Sequence, residues 1–372
     1  MDLAANVEAA EIVIPCAELA PTLAFFTERL SFRVDAIHPA DNPRVAVVSG
    51  YGVRLRLARD AATVTNSPGV IRLLCRDPGA VAGGATELTA PNGTRIELVH
   101  ADPPLVLPPL RAAYAVSRLR GGAPWIEGRA GMRYRDLIPD RQGGRFIASQ
   151  IRIDDGGPVP DYVHFHKIRF QMIYCKSGWV RLVYEDQGPP FVMHAGDCVL
   201  QPPTIRHRVL ESSPGMEVLE VTSPAEHETC ADHDTPLPTG AQRPDRDFGG
   251  QRFVHHVASS AAFRPWRFAG VEARDLGIAA ATAGAAGAHV LRSQRGAEVR
   301  ARAHDGELLF AFVLRGAATL HAEGKDRERL EEGDAFTIPP GLAYTFGGAE
   351  GGEVEWLEVA LPASVPCGGE AL

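Results

Sequence analysis

Short apolar runs alternate with glycine- and proline-rich turns along most of the chain, and this pattern is typical of β-structure. Near the start, the segment Glu11-Ile12-Val13-Ile14 predicts a short strand. A helix should follow it, because apolar residues then recur at intervals of three and four positions, namely Leu19, Leu23, Phe26 and Leu30. Further strands are predicted at residues 44–48, 53–57, 70–75 and 94–99. The first hundred residues therefore have the pattern of a small α+β module.

An internal repeat follows this module. The proline-rich residues 101–110, which have no hydrophobic periodicity, predict a stiff linker to it. The landmarks of the repeat recur in one order at near-equal spacing: Pro124-Trp125 and Pro265-Trp266, Arg135-Asp136-Leu137 and Arg274-Asp275-Leu276, Gly178 and Gly316, Gly196-Asp197 and Gly333-Asp334. Each copy is a run of short strands between glycine and proline turns. We therefore predict a mainly β protein with two β-barrels or jelly rolls in tandem.

Composition and charge exclude several classes of function. The chain has 372 residues and a net charge of −8, so it does not have the excess of basic residues that binds nucleic acids or anionic membranes. No apolar run is long enough to span a bilayer, and the first residues do not have the pattern of a secretory signal. The six cysteines form no C-x-x-C pair, so we expect reduced thiols and a cytoplasmic protein.

Three histidines of the first copy have a spacing that suits a metal ion. His164 and His166 are two positions apart in a predicted strand, so their side chains point to the same face. A third imidazole, His207, comes from a later strand that the Gly196-Asp197 turn sends back across the barrel. Three neutral imidazoles can hold one divalent ion and leave coordination positions open for a substrate.

The same residues resemble the two signature motifs of the cupin superfamily. His164-Phe165-His166, Gln171 and Gly178 are similar to the first motif, and Gly196-Asp197, Pro202 and His207 to the second. The resemblance covers about residues 112–362 and implies a two-cupin chain whose first domain binds metal. It also implies Gln171 as a further ligand, at the position where the family usually has a glutamate. A neutral glutamine leaves nearly the full +2 charge of the ion, so we expect an anionic, chelating substrate.

Similar cupins with three histidines include dioxygenases, and the resemblance implies this activity on a small anionic chelating compound, aromatic or dicarbonyl. We expect one divalent metal ion; Fe(II) is favoured, and Zn, Ni and Mn remain open. Arg152 and Tyr162 are candidate substrate contacts, and the sequence assigns no catalytic residue. One alternative is a metal-dependent isomerase or lyase with Tyr162 or Tyr174 as its general base. Another is a bicupin that binds a small molecule without catalysis.

The second copy lacks a comparable set of ligands. Its corresponding residues are Arg302, His304, Leu309 and Tyr344. Leucine cannot coordinate a metal and arginine stays protonated, so we predict a vestigial, metal-free site in a domain that supports the first barrel. The alternative is an anion-binding pocket in which Arg302 and His304 hold a carboxylate.

The strand and helix order of the first module, together with residues 92–98, resembles the vicinal-oxygen-chelate (glyoxalase-like) family. The resemblance covers about residues 1–105 and implies a truncated module with Glu11 and Glu97 at metal positions. The alternative is that both carboxylates are solvated and that the module serves in docking or in a homodimer, which is a hypothesis. The predicted domains are this module (1–105), a metal-binding cupin (112–235) and a second cupin with a degenerate site (245–365).

Overall fold

The computed structural model of the protein describes residues 6–16, 18–29, 31–50, 52–59, 70–89, 95–301 and 303–363. The chain folds into two compact units. Unit 1 comprises Met1–Val106, His164–Lys167 and His227–His233, and unit 2 comprises Leu107–Val163, Ile168–Glu226 and Asp234–Leu372. Within the described ranges, no helix is both long enough and apolar enough to cross a membrane.

The elements of the first hundred residues follow the predicted order with some additions. They are β1 Val7–Pro15, α1 Leu19–Ala24, a π-helical turn Phe25–Arg29, β2 Arg33–His38, β3 Val45–Gly50, β4 Val53–Ala58, β5 Val70–Cys75, α2 Pro78–Val81, β6 Glu87–Thr89 and β7 Arg95–His100. The sequence did not predict β2, α2 and β6. Leu30 and residues 90–94, which carry parts of the predicted helix and of the glyoxalase-like motif, lie outside the described residues.

The elements of the first copy of the repeat begin after the linker. They are β8 Ala115–Ser117, β9 Ile126–Glu127, a 3-10 turn Arg129–Gly131, β10 Arg133–Asp136, α3 Arg141–Gly144, β11 Ile147–Ile153, β12 Gly157–Pro158, β13 His164–His166, β14 Phe170–Ser177, β15 Trp179–Tyr184, β16 Phe191–His194, β17 Cys198–Leu200, β18 His207–Ser212, β19 Met216–Ser223 and β20 Thr229–Ala231.

The elements of the second copy follow. They are β21 Val254–His256, a 3-10 turn Ala258–Ser260, β22 Arg264–Pro265, β23 Val271–Asp275, α4 Ile278–Ala281, β24 Gly287–Ser293, β25 Glu298–Ala301, β26 Leu308–Ala322, β27 Glu328–Glu331, β28 Ala335–Thr337, β29 Tyr344–Gly348, a 3-10 turn Ala349–Gly351 and β30 Val354–Leu361.

Unit 1 is built on one sheet, in the order β13-β20-β2-β3-β4-β1-β5-β7-β6. The central strand β1 runs parallel to β4 and antiparallel to β5. The helix α1 packs its Leu19 against one face of this sheet, where Ala46, Val48, Leu55 and Leu57 are buried. The alternation seen along β4 therefore has its expected cause, because Leu55 and Leu57 face this small core while Arg54 and Arg56, which alternate with them, face away.

The two copies in unit 2 have the same strand order, which confirms the predicted repeat. The larger sheet of the first copy runs β9-β10-β11-β19-β14-β17-β21, and that of the second runs β22-β23-β24-β30-β26-β28-β8. The last strand in each case comes from the other copy's part of the chain: β8 pairs with β28, and β21 pairs with β17. The strand that begins one copy in sequence thus completes the larger sheet of the other copy. The sequence did not predict this exchange.

The two larger sheets of unit 2 share one core. Phe170, Met172 and Tyr174 of β14 are buried in the same cluster as Phe310 and Phe312 of β26. Alternate residues of these strands face the other way, into the interior of each copy. Cys175 and Tyr184 belong to the first interior, whereas Leu309 and Trp356 belong to the second. Each copy is thus a jelly roll whose larger sheet has one face in the shared core and the other in its own interior.

Candidate metal centre

The Gly196-Asp197 turn has the same geometry as its repeat, Gly333-Asp334. The carboxylate of Asp197 accepts hydrogen bonds from the N–H groups of His194 and Ala258, both at 2.8 Å. Gly196 has a φ of +95°, and Gly333 has a φ of +91°, values that glycine adopts without strain. Both landmarks of the repeat are therefore tight turns, and the first of them starts the segment that leads to His207.

The three predicted histidines are buried, and their donor atoms lie together. His164 and His166 lie on β13 with ring centroids 5.2 Å apart, and His207 is the first residue of β18. One ring nitrogen from each of the three histidines lies within 4.8 Å of the others. In the part of the chain that the structure describes, this group contains no carboxylate and no thiol. The donor set suits a divalent transition metal ion, because neutral imidazole is a common ligand of Fe, Zn, Ni and Cu.

His207 is held in the form that a metal requires. Its Nδ1 lies 3.0 Å from the carbonyl oxygen of Ile205, and since a carbonyl only accepts, Nδ1 carries the proton. The ring stacks on Tyr184 with centroids 5.5 Å apart. Burial lowers the pKa of His207 to about 4, so the imidazole is neutral at pH 7 and Nε2 keeps its lone pair. A histidine ligand commonly donates its other N–H to such a carbonyl.

His166 has a similar backbone partner and a further histidine beside it. Its Nδ1 lies 3.3 Å from the carbonyl oxygen of Glu228 and 3.4 Å from the hydroxyl of Thr229. The ring of His227 packs edge-on against that of His166, with centroids 5.1 Å apart. Sequence patterns indicate no ligand-like companion for His227, because it lies 20 positions beyond His207 in no recognisable motif. The structure places it directly beside a predicted ligand.

The carboxylate of Asp161, which affects the pKa of His207, is already paired with an arginine. Asp161 raises the pKa of His207, against the larger effect of burial. The Oδ1 atom of Asp161 accepts from Arg129 at 2.6 Å, and its Oδ2 accepts from the N–H of Val209 at 2.9 Å. The side chain of Asp161 is fully buried, and the arginine offsets its charge. This acid therefore holds β18 in place and adds little net negative charge near the histidines.

Gln171 is buried on the interior face of β14 and belongs to a chain of hydrogen bonds. Its Oε1 accepts from Nε2 of Gln201 at 2.7 Å, and Oε1 of Gln201 accepts from the phenol of Tyr184 at 2.9 Å. Gln201 lies between Asp197 and Pro202 of the second motif, at a position that the motif does not specify, and its place directly before Pro202 is the signal that could have drawn attention to it. Coordination of a metal by Gln171 stays a prediction.

Two further sequence candidates, Arg152 and Tyr162, lie beside charged groups. Arg152 pairs with Asp154 at 2.5 Å, on the face of β11 opposite to Ile151 and Ile153, which fill the interior. The ring of Tyr162 lies 6.0 Å from the guanidinium of Arg129. Their roles as substrate contacts stay predictions.

Tyr174 and Cys175 are both buried, and burial makes both of them poor groups for proton transfer. Tyr174 belongs to the core shared by the two copies, and burial raises its pKa. It therefore faces away from the interior that holds Gln171, and its proposed use as a general base has no geometric support. Burial also raises the pKa of the Cys175 thiol, to about 12. Cys175 is thus an apolar filler of the first interior rather than a reactive thiol.

The second copy has a single histidine at the matching place. His304 is buried, and its Nε2 lies 2.8 Å from the carbonyl oxygen of Ile338. Leu309 and Tyr344 belong to the apolar core of this copy, and Arg302 lies outside the described residues. Among the residues that the structure describes, the second copy offers no group of three donors. The carbonyl of Ile338 holds one nitrogen of His304, and the vestigial, metal-free character of this site stays a prediction.

The two acidic candidates of the first module are paired with arginines. Glu11 accepts from Arg54 at 2.9 Å and lies 3.6 Å from Arg72, while Glu97 lies 3.1 Å from Arg72 and 3.5 Å from Arg95. Glu11 is only 3% exposed, so the expectation that both carboxylates are solvated is wrong for this residue. These residues form an alternating row of charges across neighbouring strands, which explains why an acid can be buried there.

Comparison with known proteins supports a cupin fold. Residues 289–360 match the cupin domain family. The chain is similar in structure to protein Ylba from E. coli, with a TM-score of 0.51 and 12% identity over 71% of this chain and 96% of that one. It is also similar to a mutant of salicylate 1,2-dioxygenase from Pseudoaminobacter salicylatoxidans, with a TM-score of 0.50 and 17% identity over 69% and 86% of the two chains. No curated protein sequence matches significantly. The chain thus has the fold of the cupin superfamily, with a cupin domain at residues 289–360.

Proposed function

We propose that this protein is a metal-dependent dioxygenase that acts on a small anionic chelating compound, aromatic or dicarbonyl. One divalent ion, Fe(II), would be held by His164, His166 and His207. The observation that carries the proposal is the convergence of three imidazoles, without a carboxylate in the group, among the described residues. A neutral donor set leaves the charge of the ion available to an anionic substrate. The cupin fold of the chain is compatible with this chemistry but does not by itself specify it.

The residues present fit a divalent metal ion. When bound, Fe(II) would bring an anionic chelate and dioxygen together and relay electrons between them. The chain fixes the ligands beforehand: the carbonyl of Ile205 sets the tautomer of His207, and the ring of Tyr184 sets its plane. Asp161, bound to Arg129, ties the start of β18 through Val209. These contacts reduce the reorganisation needed when a metal or substrate binds.

The test is metal analysis followed by oxygen uptake. The full chain is purified without added ions, its metals are measured, and the protein is then loaded with Fe(II). We expect one ion per chain and oxygen consumption with at least one member of a panel of catechols, 2-oxo acids and β-diketones. His166→Ala should lose the ion and the oxygen uptake. The matched control is His304→Ala at the corresponding position of the second copy, which should keep both.

Three results would overturn parts of this proposal. Retention of the ion by His166→Ala would remove the metal site. A native ion other than iron, such as Zn, Ni or Mn, with no oxygen uptake after iron loading, would favour an isomerase or lyase. If the protein binds a panel compound but neither consumes oxygen nor converts any of the compounds, the result would favour a two-cupin protein that binds a small molecule without catalysis.

The first module enters the proposal as a partial glyoxalase-like domain in a cytoplasmic homodimer. The order β1-α1-β2-β3-β4 supports the resemblance, and the thiols of the described cysteines, which are free, support the compartment. Glu11 is engaged by Arg54 and Arg72, so we propose docking rather than metal binding for this module. Light scattering of the full chain at several concentrations tests the dimer, and a monomer throughout the range would exclude it.

A further inference from the structure

A buried chain of three polar side chains crosses the interior of the first jelly roll. Tyr184 donates to Gln201, and Gln201 donates to Gln171, at 2.9 and 2.7 Å. All three side chains are about 1% exposed. Gln171 shares its strand face with Cys175, and Tyr184 stacks on His207. The chain of hydrogen bonds therefore lies on the same interior face as one of the three histidines.

The direction of these hydrogen bonds follows from the phenol. A tyrosine phenol keeps its proton at neutral pH, so the hydroxyl of Tyr184 is a hydrogen-bond donor. In the described part of the chain, that proton has one acceptor, Oε1 of Gln201. A buried hydroxyl that does not donate a hydrogen bond destabilises the fold. Gln201 is therefore fixed with its side-chain oxygen toward Tyr184. Its Nε2 then faces Gln171, and Gln171 must turn its own oxygen toward Gln201.

We propose that Gln171 offers its amide N–H groups to a metal-bound anion and does not coordinate the metal. An amide nitrogen is a donor only and cannot be a ligand. In the described part of the chain, the side chain of Gln171 makes its hydrogen bond through Oε1, to Gln201, so the amide N–H groups are the part of this side chain that remains for a ligand. Gln171 is then a specificity-determining residue for an oxyanion, and Gln201 and Tyr184 are positioning residues. This inference rests on the proposed function, because it places the anion on the metal of the same interior.

The second copy supplies a natural comparison. Its backbone bond from Ile338 to Leu309, 3.1 Å, matches that from Gln201 to Gln171, 3.0 Å. Its pairing of Ala322 with Tyr344 matches that of Tyr184 with His207. The three polar residues are thus replaced by Leu309, Ile338 and Ala322, all buried in an apolar core. The chain of hydrogen bonds is present in the copy that has the three converging histidines, and it is absent from the described residues of the copy in which only His304 matches one of them.

The experiment separates metal affinity from anion affinity. Wild-type protein, Gln171→Leu and Tyr184→Phe are loaded with Co(II), and the Kd for the ion is measured by competition with a chelator. The loaded proteins are then titrated with 4-nitrocatechol, a coloured catecholate. Gln171→Leu introduces the residue of the second copy, and Met172→Leu, on the opposite face of the same strand, is the control for packing.

We expect Gln171→Leu to keep its metal Kd within about threefold and to bind 4-nitrocatechol at least about tenfold more weakly, as for a lost hydrogen bond to a charged group. Tyr184→Phe should weaken the binding of 4-nitrocatechol by about three- to tenfold and leave the metal Kd unchanged. Without the phenol, the side-chain amides of Gln201 and Gln171 are no longer held in one orientation. Met172→Leu should change neither constant.

Two outcomes would refute the inference while leaving the proposed function intact. A metal Kd raised tenfold or more in Gln171→Leu would show that the glutamine coordinates the ion through its oxygen. An unchanged Kd for 4-nitrocatechol would show that it does not contact the anion. By contrast, a loaded wild-type protein that binds no catecholate would count against the proposed function itself, and the inference would fall with it.

Discussion

The carboxylate of Glu307 joins the two copies of unit 2, and its replacement by glutamine should lower stability in a pH-dependent way. Glu307 accepts from both terminal nitrogens of Arg169, at 2.8 and 3.0 Å, and from Arg145 at 2.8 Å. Arg169 follows His166 by three positions, as Glu307 follows His304, so this pair joins equivalent loops of the repeat. Loss of the charge in Glu307→Gln weakens all of these hydrogen bonds together.

The magnitude follows from the pKa of Glu307. Its hydrogen bonds to Arg169 are the largest cause that lowers this pKa, from 4.5 to about 2, against the opposite effect of burial. The difference corresponds to at most about 3.4 kcal/mol at about 1.36 kcal/mol per pKa unit. Because 31% of the side chain is exposed, screening by solvent reduces the contribution to about 1–2 kcal/mol.

The sign of the pH dependence is fixed, because the folded pKa is lower than the unfolded one. Above pH 4.5 the carboxylate is ionised in both states and contributes fully to the free energy of unfolding. As the pH falls from 4.5 toward about 2, the unfolded state takes up the proton first, and the contribution is lost. The difference between wild type and Glu307→Gln should therefore be about 1–2 kcal/mol at pH 7 and shrink below pH 4.5.

Urea denaturation of the full chain at a series of pH values from 7 down to 3 measures this difference. The matched control is Glu332→Gln, since Glu332 is 56% exposed and lies 3.8 Å from Lys176; its free energy of unfolding should stay within about 0.5 kcal/mol of wild type. A difference for Glu307→Gln that stays constant across this pH range would refute the reasoning, as would a variant as stable as wild type.

Two further substitutions test the turn and the buried arginine of the repeat. Gly316 has a φ of +86°, and a Cβ there would lie 2.6 Å from the carbonyl oxygen of Glu353, so Gly316→Ala should lower the free energy of unfolding by about 2–3 kcal/mol. Gly324→Ala, at a φ of +70° with open space around it, is the control and should cost about 1 kcal/mol; equal losses in urea denaturation would contradict the steric argument. Arg135 is fully buried and donates to the carbonyl of Gly333 at 2.6 Å, so Arg135→Leu should cost about 2–3 kcal/mol, and a more stable variant in the same assay would show that its desolvation outweighs its hydrogen bonds.

Local patterns in the sequence were sufficient for much of the fold. The alternation in β4, the turn at Gly196 and the repeat all depend on residues close together in the chain, and the structure confirms them. The pairing of β8 with β28 was not predictable, because three residues contain no information about a partner more than 200 positions away. The same reason applies to the burial of Glu11, which depends on arginines from two other strands.

The candidate site also has features that the sequence predicts and features that it does not. The spacing of His164 and His166 predicts a shared strand face, and the turn at Gly196-Asp197, together with the resemblance to the cupin motifs, placed His207 with them. The orientation of Gln171 could not be predicted, because it depends on Gln201 and Tyr184, which have no motif of their own. A glutamine can present oxygen or nitrogen equally well, and only its neighbours decide which.

The difference between the two jelly rolls has a physical logic. A polar interior is costly unless its buried groups find partners, and the first copy supplies several through the chain from Tyr184 to Gln171 and through the carbonyls beside His207 and His166. The second copy fills the same positions with apolar residues such as Leu309, and its larger sheet shares a close-packed core with the first. The shared core packs against the outer face of β14, so under the proposed function the polar groups on its inner face keep the orientation that a bound ion and anion need. Under the proposed function, the described part of the second copy therefore contributes through this packing.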